Sequence, residues 1–287
     1  MKIVAKMADN QLDPAAPLFK VLMTDPPVWW EILKNDPELY IDIRKGNMVM
    51  AYYQGGRVAS IAYKRGLGVS AKIHPKYIGA DSDKEQEIAH RLDSDFLKVI
   101  KANIETYYSQ RSDEDIQEKR IQGECVINNR NIYLDSEFAH RQYKGQSHTV
   151  RIDLIKIIDD EIIFEELKKI NDARLHTSKG RPEIIQQMNA YREFLEENYK
   201  TLETYYKTLL QIKINLGLPT PLVPDVDRLH VRVEPELTIF NTYPQTINKR
   251  ADTIRNKRIN SIMNELQGYD YKIIKYRKQF YLLPTSC

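Results

Sequence analysis

Residues 150–169 read VRIDLIKIIDDEIIFEELKK. Two runs dense in isoleucine, valine, leucine and phenylalanine flank the polar pair Asp159–Asp160, which is the pattern of two strands joined by a tight turn. If the hairpin closes symmetrically on a two- or four-residue loop, position i faces position 319 minus i, so Asp153 lies across from Glu166. Lys168, two residues further on, points to the same face because strand side chains alternate. The flanks are too apolar for a solvated edge hairpin and predict central strands. Two carboxylates placed opposite each other and buried call for a compensating charge, and a bound cation supplies it. Two acids and a lysine around a divalent metal form a hydrolytic constellation.

Working outward, Ile132–Phe138 (IYLDSEF) predicts a further strand with Asp135 and Glu137 on one side. A long helix follows the hairpin and carries Gln187 and Tyr191 at i and i+4, on one face. The Asp153, Glu166-x-Lys168 spacing followed by Gln187-x-x-x-Tyr191 resembles the PD-(D/E)XK superfamily of restriction-endonuclease-like nucleases, and the Gln-x-x-x-Tyr element is similar to its RecB-like branch. The resemblance covers about residues 85–245, with the specific motifs in 135–191; Ile152 stands where the family usually has proline.

The resemblance implies an α/β fold: a restriction-endonuclease-like core, with a mixed central sheet flanked by helices. It implies Mg2+, with Mn2+ as a substitute, held by Asp153, Glu166 and the backbone carbonyl of Leu167. Lys168 would position or deprotonate the attacking water. Glu137 is the candidate for an additional ligand, with Asp135 its competitor, and Glu87 is a lesser candidate for an acid supplied by a preceding helix. Gln187 and Tyr191 would hold the nucleic-acid strand or orient the acids, and Arg174, Lys179 and Arg181 would contact phosphate. The implied substrate is nucleic acid, DNA before RNA, in a bacterial, phage or mobile-element setting of defence, restriction or repair. A homodimer would suit double-strand breaks. The other reading is a nuclease-fold protein that binds nucleic acid or a partner without cutting.

A length of 287 residues suffices for one large domain or two modest ones. No apolar run is long enough to span a bilayer and the opening MKIVAKMADNQLD has no signal-peptide core, so a cytoplasmic protein without membrane contact is expected. Cys125 and Cys287 are too few for a disulfide scaffold and lack metal-site spacing. The net charge of +3 is no nucleic-acid signature in itself, but residues 245–287 hold nine Lys or Arg against three acids.

In chain order, residues 1–82 predict a small β-rich subdomain and residues 83–287 the nuclease-like core. Asp25 and two prolines mark a short helix containing Trp29 and Trp30, and for at least one of the two core packing is the favoured role over base stacking. Residues 47–53 and 57–64 predict a hairpin about the turn 54–56, with a third strand near 69–73. The apolar spacing from Lys84 to Tyr108 predicts one amphipathic helix. A helical piece over 113–121 is then expected to lead into a hairpin made of Cys125–Asn128 and IYLDSEF, followed by a basic loop over 139–149. A helix is expected over 182–216, ended by three prolines, then strands at 229–233 and 236–241. A last helix over 247–266, with Arg250, Arg255, Lys257 and Arg258 outward, leads to closing strands.

Overall fold

The computed structural model describes residues 11–108, 116–141, 149–177, 180–244 and 248–276. The expected basic loop lies largely outside the described residues, as do Lys179 and the chain beyond Tyr276. The protein is mixed α/β, built on two sheets.

Helices α1 (Pro17–Thr24) and α2 (Val28–Asn35) precede β1 (Tyr40–Arg44), β2 (Met48–Tyr53), β3 (Gly56–Lys64) and β4 (Gly68–Ile73). The strands form an antiparallel meander, which β5 (Gln86–Glu87) extends. Trp29 and Trp30 are buried in its core, as expected. The turn between β2 and β3 uses left-handed backbone at Gln54 and Gly55, which matches the twist of a hairpin. Gly55 is required for a second reason: a Cβ there would stand 2.6 Å from the carbonyl oxygen of Lys119.

The helix expected over residues 84–108 begins later, as α3 (Ser94–Tyr107). Its start is set by Asp93, whose carboxylate accepts from the amides of Asp95 and Phe96. The residues before it add to the sheet instead, with the Ile88 amide bonded to the Ala71 carbonyl. The first sheet therefore reaches past residue 82.

A second departure is α4 (Glu118–Asn128), which holds Cys125–Asn128 in helix where a strand was expected. Val126 and Ile127 favour strands locally, but Ile121, Cys125 and Val126 bury against Tyr40, Tyr52, Leu154 and Leu167, and that packing overrides a propensity worth under about 1 kcal/mol.

The remaining elements are β6 (Tyr133–Arg141), β7 (Thr149–Ile158), β8 (Glu161–Lys169), α5 (Glu183–Asn215), β9 (His230–Val231), β10 (Glu236–Asn241), α6 (Lys249–Glu265) and β11 (Tyr271–Lys275). They build a sheet of order β11–β10–β8–β7–β6, with β9 paired to the start of β8. β6, β7 and β8 are antiparallel, while β10 and β11 run parallel to β8. Parallel neighbours need crossovers, and α5 and α6 provide them. Phe138, Phe164, Phe194 and Tyr206 stack in one aromatic cluster that fixes α5 on the sheet. Arg258, expected outward on α6, instead donates to the carbonyls of Ile170 and Asp172 at 3.0 and 3.1 Å and ties α6 to the end of β8.

Besides the Glu166–Lys168 pair, two networks of buried charge stand out among the described residues. In one, Glu165 accepts from Tyr133 at 2.8 Å and from Thr238, and lies 3.3 Å from Lys156 and 3.1 Å from Lys272. Burial disfavours the Glu165 carboxylate, yet the two ammonium groups hold it below its ordinary range. Because Lys156 and Glu165 are almost fully buried, Lys156→Met is expected to cost about 3–5 kcal/mol in urea unfolding by leaving the acid undercompensated. An unchanged midpoint would show that Lys272 suffices. In the other network, Asp42 and Arg44 of β1 meet Asp135 and Ser136 of β6 and Lys213 of α5, joining the two sheets.

Candidate functional site

The β7–β8 hairpin closes on Asp159 and Asp160, both with left-handed backbone, a conformation that Asp tolerates better than most residues. The pairs run from Ile158 with Glu161 to Leu154 with Glu165. This register continues to Asp153 opposite Glu166, the relation the sequence predicts.

Glu166 and Lys168 are almost fully buried, and Asp153 is half-buried. The Lys168 ammonium donates to Glu166 Oε1 and, at 2.8 Å, to the Leu167 carbonyl. It thus sits on two of the three oxygens expected to face a metal. Asp153 Oδ2 accepts from the Leu167 amide at 2.9 Å, and the Asp153 carbonyl accepts from Gln122 of α4. From α5, Gln187 donates to Glu166 Oε1 at 2.7 Å and to the Tyr191 hydroxyl, which in turn donates to the Arg151 carbonyl and lies 3.2 Å from Glu166 Oε2. Gln187 and Tyr191 are therefore placed on the acid itself.

Burial, and then the charge of Asp153, push the Glu166 carboxyl up to about 8, against the opposing pull of Lys168 and Gln187. Burial also raises Asp153, while Lys168, the Leu167 amide and a hydrogen bond from Glu166 oppose the rise. Two acids packed so closely cannot both ionise without added positive charge. The donor set of two carboxylates and the Leu167 carbonyl is all hard oxygen, which fits Mg2+ or Mn2+ completed by waters. Among the described residues no three acid, imidazole or thiol side chains are grouped to hold a metal.

Glu137 lies across from Asp153 on β6, since Ser136 pairs with Leu154 and Phe138 with Ile152. Its backbone is left-handed and its carboxylate pairs with Lys119 at 3.0 Å. The structure separates it from Asp135, which is buried against Arg44 and Tyr206. Arg174 is clamped by Asp172 through bonds of 3.0 and 2.6 Å and lies 3.9 Å from Glu118. Arg181 is exposed before α5 and lines a cavity of about 400 Å³ with Arg192 and Tyr269. Lys179 lies outside the described residues.

Glu118, which sequence reasoning missed, stands in the first turn of α4 with an oxygen 3.9 Å from Lys168 Nζ. Burial raises its carboxyl, the Lys168 charge opposes this, and Asp153 adds to the rise. The sequence signal is an acid in a first helical turn, but the helix expected over 113–121 puts position 118 beyond that turn. Glu87, the acid considered for that role, instead accepts from the Ala71 amide in the first sheet. No family model, curated protein or solved structure matches the chain.

Proposed function

We propose that this chain is a divalent-metal-dependent nuclease of the PD-(D/E)XK type, with a restriction-endonuclease-like core, hydrolysing phosphodiester bonds in DNA. The observation that carries the reading is the convergence of Asp153, Glu166 and Lys168 on one end of a central hairpin, with Gln187 and Tyr191 bonded to the same acid. Side chains from two strands and a helix meet there around a half-buried Asp153.

Asp153, Glu166 and the Leu167 carbonyl would hold Mg2+, and Glu137 of β6 and Glu118 of α4 are the further acids on neighbouring elements. When bound, the metal supplies charge to offset the phosphorane-like transition state and lowers the pKa of water. Lys168 would move off Glu166 and the Leu167 carbonyl to orient the attacking water and take part in its deprotonation. Gln187 and Tyr191 fix the Glu166 carboxyl, and Arg174 and Arg181 are the described candidates for phosphate. A cytoplasmic role in defence, restriction or repair, with a homodimer for double-strand cuts, belongs to the same proposal. Among the described residues no helix is long and apolar enough to cross a membrane.

The test is cleavage of end-labelled single-stranded DNA, duplex, plasmid and RNA with Mg2+, Mn2+ or EDTA. Metal-dependent cutting of a DNA substrate is the expected result, and the absence of metal-dependent products from every substrate would overturn the reading.

A further inference from the structure

The two sheets meet where β1 approaches β6, and a cavity of about 280 Å³ opens in that seam. Met48, Met50 and Tyr52 of β2 face Phe138 of β6 and Tyr205 of α5 across it. Its polar groups are Arg44, the buried Asp135 and the exposed Lys45, with Glu137 on the side toward Asp153.

Arg44 is immobilised. Its guanidinium donates to Asp42 at 2.8 Å, to Ser136 at 3.3 Å and to Asp135, and lies 5.9 Å from the Tyr52 ring centre. A fixed guanidinium plane and aromatic rings are stacking surfaces for a flat heterocycle, and methionines adapt to its outline. Asp135, almost fully buried, accepts from Arg44 and Tyr206, so this pair makes the fixed wall of the cavity while the exposed Lys45 supplies positive charge at its rim. The volume is at the small end for ligand pockets, enough for one base and too little for a base pair.

Position supplies the second argument. Glu137 lies across from Asp153, at the roughly 5 Å spacing of cross-strand neighbours, and Asp135 is two residues further, about 7 Å along the strand. A nucleic-acid strand with a phosphate at Asp153 would thus carry an adjoining base to the cavity. A base inside a duplex cannot enter; an unpaired one can.

We propose that this cavity receives one unpaired nucleobase of a single-stranded DNA next to the phosphate held at Asp153, an assignment that rests on the nuclease reading. Single strands are then preferred over duplex, with the base held among Tyr52, Met48 and Tyr205 against the wall made by the Arg44–Asp135 pair.

The experiment measures fluorescence anisotropy with Ca2+ in place of Mg2+, a hard cation that takes the same oxygen ligands, with an oligothymidylate of about a dozen nucleotides, the same strand made abasic, and the matching duplex. Native protein is expected to bind the single strand at least about tenfold more tightly than the abasic strand or the duplex. Met48→Trp, which fills the cavity, is expected to weaken single-strand binding about tenfold and to leave duplex binding unchanged. Lys45→Glu, on an exposed side chain, keeps the test if the tryptophan variant does not fold, and a several-fold loss is expected there. Equal binding of intact and abasic strands, no loss in either variant, or no binding at all would overturn the assignment. Cutting of DNA by native protein with Met48→Trp binding like native would sink the cavity and spare the nuclease. The reverse pattern would spare the cavity as a base-binding site and sink the nuclease.

Discussion

Lys168→Ala is expected to cut metal-dependent cleavage by about 10²–10⁴-fold, the range for a lost proton-transfer or water-positioning group. DNA binding should stay within about threefold of native, because Lys168 is buried against Glu166 and the Leu167 carbonyl and is not part of an open basic surface. Single-turnover rates at saturating protein separate the two effects, since they remove binding from the comparison. An equal loss of binding and rate would make Lys168 a phosphate contact. An unchanged rate would remove it from the chemistry altogether.

The second large effect concerns stability against pH. The Glu166 carboxyl is raised from an ordinary 4.5 to about 8 by burial and then by Asp153. Between those values the folded chain keeps a proton that the unfolded chain has released, so stability falls as pH rises from about 4.5 to about 8 and levels off above. The full span is worth up to about 5 kcal/mol, and Asp153, also raised, adds in the same direction. Glu166→Gln keeps the shape and the neutral state, so it is expected to flatten this fall and to be more stable than native at pH 8. Mg2+ should restore native stability at pH 8 and do little for the variant, because a ligand of the folded state adds stability by mass action. Urea midpoints at pH 5, 6.5 and 8, with and without metal, report both. A native profile parallel to that of the variant would show that the acid is not strained in the folded chain.

The centre of the site is legible in the sequence for physical reasons. Periodic apolar residues and the Asp159–Asp160 turn fix a register, and a register fixes which acids face each other. Helix α5 is equally plain, since its apolar stripe runs from Ile184 to Ile212 and prolines follow. Residues whose roles come from distant chain are not legible in the same way. Asp135 finds its partner in Arg44, 91 positions away, and no local pattern announces that pair. Left-handed backbone at Glu137 breaks the simple alternation that put it beside Asp135. Glu118 is not legible because α4 starts without a side-chain cap to mark its first turn, and the start of α3 is set by an Asp93 cap that the apolar spacing alone does not reveal.

The most direct measurement of the central claim is single-turnover cleavage of end-labelled single-stranded DNA with Mg2+ by native protein and by Asp153→Asn. The substitution keeps an oxygen for the Leu167 amide and removes the charge a cation needs. Metal-dependent products from native protein and a loss of about 10³-fold or more in the variant, with its fold intact, are expected. Cutting that persists in EDTA, or that Asp153→Asn performs as well as native protein, would contradict the account.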